Sequence, residues 1–291
     1  MPKIVYLGPE YSFHHLAAQK FFENNCINNA NQLALAQSPS GVAEFVGVDT
    51  FENIFERVSN QDSDFGIIAV ENSLAGSVTE NFDLLYKYNV QVCGELIFPI
   101  CHCLLAKYGV QIKDLMKVYS HQKALEQCQK FLKSHTAIIA NSFKSTADAV
   151  KLVAGSSNPH WCAIGSYEAG QEYGLSVLQK NIQDDLSNWT RFLIVKKEDK
   201  QYDQNSNKAT IIFKISHETG SLARILGVLA LYHCNLTKIE SRPIQDKPFE
   251  YIFYIDLSFQ NLGLFQKEVY RSYRHATYIK VLGCYDFQPT Q

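Results

Sequence analysis

The chain has 291 residues with 27 Lys plus Arg against 29 Asp plus Glu, a formal net charge of -2 that excludes a strongly basic surface for a polyanion. Hydrophobic residues make up 46% and charged residues 19%, which is enough apolar surface for a sizeable core and too little charge for disorder. No apolar run approaches the roughly 18 residues that cross a bilayer, and the start, Met1-Pro2-Lys3-Ile4-Val5-Tyr6-Leu7-Gly8, is too weakly apolar for a secretion signal.

These bounds lead to the expectation of a cytoplasmic protein with no membrane or nucleic-acid partner. Its eight cysteines are scattered and read as small apolar fillers. Cys101-His102-Cys103 invites a metal reading, but no second ligand pair lies at zinc spacing, so no metal is expected.

Short apolar runs at residues 4–7, 65–70, 92–97, 101–106, 137–139, 162–164 and 192–195 alternate with helical patterns. This predicts α/β layers around a mostly parallel sheet. Ligands in such sheets bind beyond the carboxyl ends of the strands, so the polar residues after each run are the candidates.

After the first run, Gly8-Pro9-Glu10-Tyr11-Ser12-Phe13 opens a helix whose backbone N–H groups could receive an anion. A plain turn with Ser12 as N-cap explains the same residues. The adjacent His14 and His15 do not share a helix face. Glu71-Asn72-Ser73 and Gly76-Ser77-Val78 follow the next run and supply either ligand contacts or a capped helix start.

Tyr119-Ser120-His121 and Gln127-Cys128 fall at another strand-to-helix crossing, where Ser120 and Gln127, seven positions apart, could share one helical face. His121 has no Ser or Cys at nucleophile spacing and reads as a surface or core histidine. Before the last run, Asp184-Asp185-Leu186-Ser187-Asn188-Trp189-Thr190-Arg191-Phe192 sets a hydroxyl beside a guanidinium. The guanidinium suits a carboxylate ligand, or a salt bridge to Asp184 or Asp185.

Residues 197–208 contain one aromatic and no aliphatic side chain and read as a linker between a first domain, 1–196, and a second, 209–291. In the second, β-branched residues 210–215 predict a strand, and Leu222, Ile225, Leu226 and Leu229 a helix. Strands at 234–241 and 251–259, joined across Pro243 to Pro248, are followed by a helical stripe of Leu262, Phe265, Val269 and Tyr273. A last strand at 278–285 completes the order βαββαβ, an α+β ferredoxin-like unit.

Taken together, these pieces resemble the prephenate dehydratase family over almost the whole chain. Gly8-Pro9-Glu10, Glu71-Asn72-Ser73 with Gly76-Ser77-Val78, Gly94-Glu95, Tyr119-Ser120-His121 with Gln127-Cys128, Ser145-Thr146-Ala147, Ile182-Gln183-Asp184 and Thr190-Arg191-Phe192 occur in family order. Glu240-Ser241-Arg242-Pro243 looks like the signature of the regulatory ACT domain. The resemblance implies an α/β bilobal, periplasmic-binding-protein-like catalytic domain with substrate in the cleft, needing no metal or organic cofactor.

It also implies that Thr190 is the catalytic residue and that Asn72, Ser120, Gln127, Arg191 and Phe192 bind substrate. Prephenate, a dianion, would lose water and carbon dioxide, with Arg191 holding the pyruvyl carboxylate and Thr190 donating to the departing oxygen. Phenylalanine is the implied inhibitor, at Gly220, Ser221, Leu222, Ala223, Asn235, Leu236, Glu240 and Ser241, with the ACT domains joining a homodimer or homotetramer.

No long helical stretch precedes Gly8, so a monofunctional enzyme without fused chorismate mutase is expected. The chain departs from the family pattern at Tyr11-Ser12 (usually Gly-Thr), Ala69 (usually Pro), Gln122-Lys123 (usually Pro-Gln) and Ser221 (usually Ala). Arogenate dehydratase, acting on an amino-acid analogue, is the close alternative. A phenylalanine-sensing protein without turnover is the distant one, and the intact Thr190-Arg191-Phe192 argues against it.

Overall fold

The computed structural model describes residues 1–28, 43–231, 233–244 and 247–287. The chain runs through β1 (Lys3–Leu7), α1 (Phe13–Asn28), β2 (Glu44–Val48), α2 (Phe51–Ser59), β3 (Phe65–Asn72), β4 (Gly76–Ser77), α3 (Thr79–Lys87) and β5 (Val90–Pro99). It continues with β6 (Cys103–Ala106), β7 (Lys117–His121), α4 (Gln122–Gln127), α5 (Gln129–Ser134), β8 (Ile139–Phe143), α6 (Thr146–Gly155), β9 (Trp161–Gly165), α7 (Tyr167–Glu172), β10 (Ser176–Gln179) and β11 (Trp189–Lys197).

The first sheet has the strand order β2-β1-β3-β11-β5, with β4 folded back on β3. β1 and β2 pair in parallel, Lys3 opposite Glu44 and Leu7 opposite Val48. Residues 65–70 of β3 are all buried, as expected of a strand covered on both faces. The second sheet has the order β10-β6-β9-β7-β8. Its β9, β7 and β8 are parallel, whereas β6 and β10 are antiparallel, so the parallel expectation holds for three of the five strands.

The apolar run at 137–139 is displaced from the strand it was expected to form. Ile138 is buried, and β8 begins at Ile139 and carries mostly exposed side chains. An edge strand pairs through its backbone and needs no apolar run. Helix starts follow the capping rules: Ser145 accepts from the Asp148 N–H at 3.0 Å, and Ser166 from that of Ala169 at 3.2 Å.

After β11, residues 198–207 hold no helix or strand. Then come β12 (Lys208–Lys214), α8 (Ser221–Leu231), β13 (Asn235–Ile244), β14 (Lys247–Ser258), α9 (Leu262–Ser272) and β15 (Tyr278–Tyr285). The sheet order is β13-β14-β12-β15 with every neighbour antiparallel, which is the ferredoxin-like arrangement. The two strands of the hairpin are longer than expected, because β13 continues through Pro243, opposite Tyr251. It is an edge strand, where a missing N–H is tolerated. Residues 245–246 of the expected turn, and the side chain of Cys26, lie outside the described ones.

The molecule divides into two compact units. One comprises Met1–Ile54, Ile67–Val78 and Ile97–Phe192, and the other Phe55–Gly66, Thr79–Leu96 and the chain from Leu193 onward. In the second unit, Ala209, Ile211 and Phe213 of β12 pack with Ile225 and Leu229 of α8 and Phe265 and Val269 of α9. The opposite face of the sheet is covered by α3 and β5. Phe82 packs on Tyr254, Arg242 reaches both carboxylate oxygens of Asp83 (3.3 and 2.8 Å), and Lys208 pairs with Glu95 at 2.8 Å. Among the described residues, no helix is long and apolar enough to cross a membrane.

Candidate active site

Six of the predicted residues fall within the first unit, where the ends of β3, β7, α4 and the start of β11 carry them. The last residue of β3, Asn72, turns its Oδ1 back to accept from the backbone N–H groups of Leu74 (3.1 Å) and Ala75 (2.9 Å). This turn fixes which end of the amide faces outward. Asn72 Nδ2 then donates to Asn188 Oδ1 (2.8 Å), Thr190 Oγ1 (3.0 Å) and the Trp189 carbonyl (3.1 Å). Ser73 fastens the same segment: its Oγ donates to the Ser187 carbonyl at 2.6 Å and accepts from the Trp189 N–H at 2.9 Å.

The chain of hydrogen bonds continues beyond Asn188. Its oxygen is used by Asn72, so its Nδ2 donates onward to Gln127 Oε1 at 3.1 Å. The same oxygen lies 3.0 Å from His102 Nε2. His102 is held in place through its backbone, its N–H donating to Gln183 Oε1 at 2.9 Å and its carbonyl accepting from Ile182 at 3.0 Å. Burial pushes the His102 imidazole below its ordinary pKa, with the hydrogen bond to Gln127 opposing.

Thr190 is 8% exposed, and the contact from Asn72 settles what its hydroxyl can do. An amide NH₂ only donates, so Thr190 Oγ1 accepts there and keeps its own proton for another oxygen. Arg191 and Phe192 follow on the same strand. By strand alternation Thr190 and Phe192 share one face and Arg191 takes the other. Phe192 is buried with its ring edge against His14 of α1, 5.2 Å between centroids.

Ser120 and Gln127 do not share a helical face. Ser120 is on β7, fully buried, with its Oγ donating to the Ile164 carbonyl at 2.7 Å, and α4 begins only at Gln122. His121 caps that helix, its Nδ1 accepting from the Lys123 N–H at 3.3 Å. Asp184 does not stand alone for Arg191, since its Oδ1 accepts from the Lys130 N–H at 2.8 Å.

Tyr11, where the family usually has Gly, adopts φ 60°, the left-handed region that glycine enters freely. Its backbone N–H donates to His15 Nδ1 at 2.9 Å, and its carbonyl accepts from Ser166 Oγ at 3.3 Å. Its ring meets Tyr173 and His15 edge-on, at 6.1 and 5.5 Å. Ser12 caps α1, its Oγ accepting from the His15 N–H at 3.3 Å.

A family model, prephenate dehydratase, matches residues 4–200. The chain belongs to the prephenate dehydratase family. The dehydratase is 33% identical over 302 residues to arogenate dehydratase/prephenate dehydratase 2, chloroplastic, of Arabidopsis thaliana, covering 99% of this chain and 74% of the relative. It is 32% identical over 286 residues to the bifunctional chorismate mutase/prephenate dehydratase of Escherichia coli, covering 97% of this chain and 70% of the relative. A crystal structure of prephenate dehydratase in complex with L-Phe, from Arthrobacter aurescens, superposes with TM-score 0.81 at 25% identity, covering 99% of this chain and 92% of that one. The dehydratase is therefore a lyase of aromatic amino-acid biosynthesis.

In its second unit, Gly220 (φ 80°) precedes α8, and the buried Ser221 Oγ lies 3.1 Å from Ser216 Oγ and accepts from Arg224 at 3.0 Å. Leu222 packs against the core and Ala223 is exposed. The register places Asn235 level with Lys208 and Arg242 level with Lys214, after which the chain leads into α8. Glu240 and Ser241 thus share the α8 end of the sheet, whereas Asn235 and Leu236 lie about 20 Å along it. Asn188, His102 and Gln183 join the hydrogen bonds of the candidate site and were missed as candidates by the sequence reading. Asn188 and Gln183 were quoted within motifs, and His102 was weighed only as a metal ligand.

Proposed function

We propose that the protein is a cytoplasmic, cofactor-free enzyme that converts prephenate to phenylpyruvate, carbon dioxide and water. The ring carboxylate leaves as carbon dioxide, its bonding pair moves into the ring, and the hydroxyl across the ring departs as hydroxide, which takes a proton to become water. Aromatisation supplies the driving force, so the protein needs placed donors rather than a nucleophile.

The observation that supports this reading is the hydrogen bond from Asn72 Nδ2 to Thr190 Oγ1, which leaves the threonine proton available to donate to a departing oxygen. Gln127 offers a substrate oxygen its NH₂, which makes no hydrogen bond among the described residues. Arg191 contributes positive charge from the other face of β11. Phenylalanine, the ligand named for the Arthrobacter relative, acts as end-product inhibitor at the ACT domain, between subunits of a homodimer or homotetramer. A neighbouring subunit would bring Asn235 and Leu236 to the α8 start, which one chain alone does not.

Arogenate is the second reading, because the Arabidopsis relative is named for both substrates. The test supplies purified protein with each compound, following phenylpyruvate or phenylalanine with and without added phenylalanine. Thr190→Ala should lower turnover by about 100-fold or more, as for loss of one oxyanion donor. A variant that binds prephenate normally and keeps most of its turnover overturns the assignment.

A further inference from the structure

The hydrogen bonds from Asn72 to His102 have a single allowed direction. The Leu74 and Ala75 N–H groups occupy Asn72 Oδ1, so its NH₂ must face Asn188. Asn188 must then present oxygen to Asn72 and NH₂ to Gln127, and Gln127 must present oxygen to Asn188. The nitrogen 3.0 Å from that oxygen, His102 Nε2, therefore carries the proton.

His102 Nδ1 is buried without a hydrogen-bond partner, which suits an unprotonated ring nitrogen and not an N–H. The ring is 2% exposed, packed edge-on against Phe13 at 5.5 Å. Two donors thus converge on Gln127 Oε1, and the Gln127 NH₂ is turned outward as the free end of the series.

We propose that His102 is a positioning residue for the dehydration: as the neutral Nε2–H tautomer it locks the Gln127 amide with its NH₂ toward the substrate. This rests on the reading of Thr190 and Gln127 given above. Without the His102 donor, only the Asn188 NH₂ still holds Gln127 Oε1, so the amide turns more readily by half a turn about its last bond and presents oxygen to an anionic substrate, which is repelled.

The experiment has two arms on the full chain. In the first, ¹⁵N chemical shifts of labelled histidine give the His102 tautomer in the wild type at neutral pH. A proton on Nε2 is expected, and one on Nδ1 overturns the proposal whatever the protein's activity. In the second, kcat and KM for prephenate are measured for His102→Phe, which removes the donor, and His102→Gln, whose amide nitrogen reaches about the same place.

His102→Phe should lower kcat/KM by roughly 10- to 100-fold, His102→Gln should recover most of it, and His102→Phe should cost nothing further in a Gln127→Ala background. Equal losses in the Phe and Gln variants, or full additivity with Gln127→Ala, overturn the proposal. A wild type inert toward both prephenate and arogenate overturns the proposed function and the catalytic role of His102 with it, and the tautomer still decides whether His102 orients Gln127.

Discussion

Lys208→Met removes one partner from an ion pair with almost no access to water. The two side chains are 8% and 1% exposed and 2.8 Å apart. Glu95 would keep the Tyr285 hydroxyl, which donates to its Oε2 at 3.0 Å. A buried charge stripped of its counter-ion costs about 3–5 kcal/mol, whereas replacing both members with apolar residues is neutral or stabilising. Lys208→Met should therefore lower the stability of the second unit by about 3–5 kcal/mol, and Lys208→Met with Glu95→Leu should recover nearly all of it. The exposed pair Lys144–Asp49, at 74% and 82% exposure, is the control, and breaking it should leave stability unchanged. Both tryptophans, Trp161 and Trp189, are in the first unit, so fluorescence does not report the loss. Amide hydrogen exchange on β12 and β15 does, and it should speed up by about two to four powers of ten. A single substitution costing under about 1 kcal/mol, or a double variant as unstable as the single, would refute the argument.

Two further outcomes follow from the first unit. Tyr11→Gly should be more stable than Tyr11→Ala by about 1 kcal/mol, because both lose the ring contacts but only alanine keeps the cost of φ 60°. Chemical denaturation ranks the pair, and an alanine variant equal to or above the glycine variant contradicts the strained-loop account. His14 is half-buried, but its Nε2 is sealed from solvent, and burial pushes its pKa down from 6.5 to about 4. The unfolded chain takes up this proton below pH 6.5 and the folded chain only near 4, so stability is full above 6.5 and falls by about 1–3 kcal/mol on the way down. His14→Leu should flatten that part of the pH profile, and an unchanged slope in denaturation midpoints between pH 7 and 4 rejects it.

Local patterns were readable from sequence because they are imposed locally. The βαββαβ order followed from the spacing of Leu222, Ile225, Leu226 and Leu229 and from the Phe265–Val269 stripe, each set by the turns of a single helix. Thr190 and Asn72 were found through motif order, but their contact was not, since 118 positions separate them and no local spacing encodes it. His102 stood out in the sequence only because two cysteines flank it, a metal reading set aside for want of a second ligand pair, whereas its contact with Gln127, 25 positions away, arises only on folding. The shared helical face for Ser120 and Gln127 failed because a strand preceded the helix, and spacing alone does not say where a helix starts.

The place of β11 between β3 and β5 bears on how the enzyme is born. Asn72 leaves the ribosome 118 residues ahead of Thr190, so at about 5–20 residues per second roughly 6–24 s pass before the two can meet. During that interval the first sheet lacks an inner strand, and β3 and β5 each have an unpaired edge available to chaperones or to a neighbouring nascent chain. The segment that fills the gap also carries Thr190, the residue proposed above to donate to the departing oxygen. A translation product cut short before residue 189 lacks both an inner strand and the proposed donor, and quality control that recognises open sheet edges would remove it without needing to test for activity.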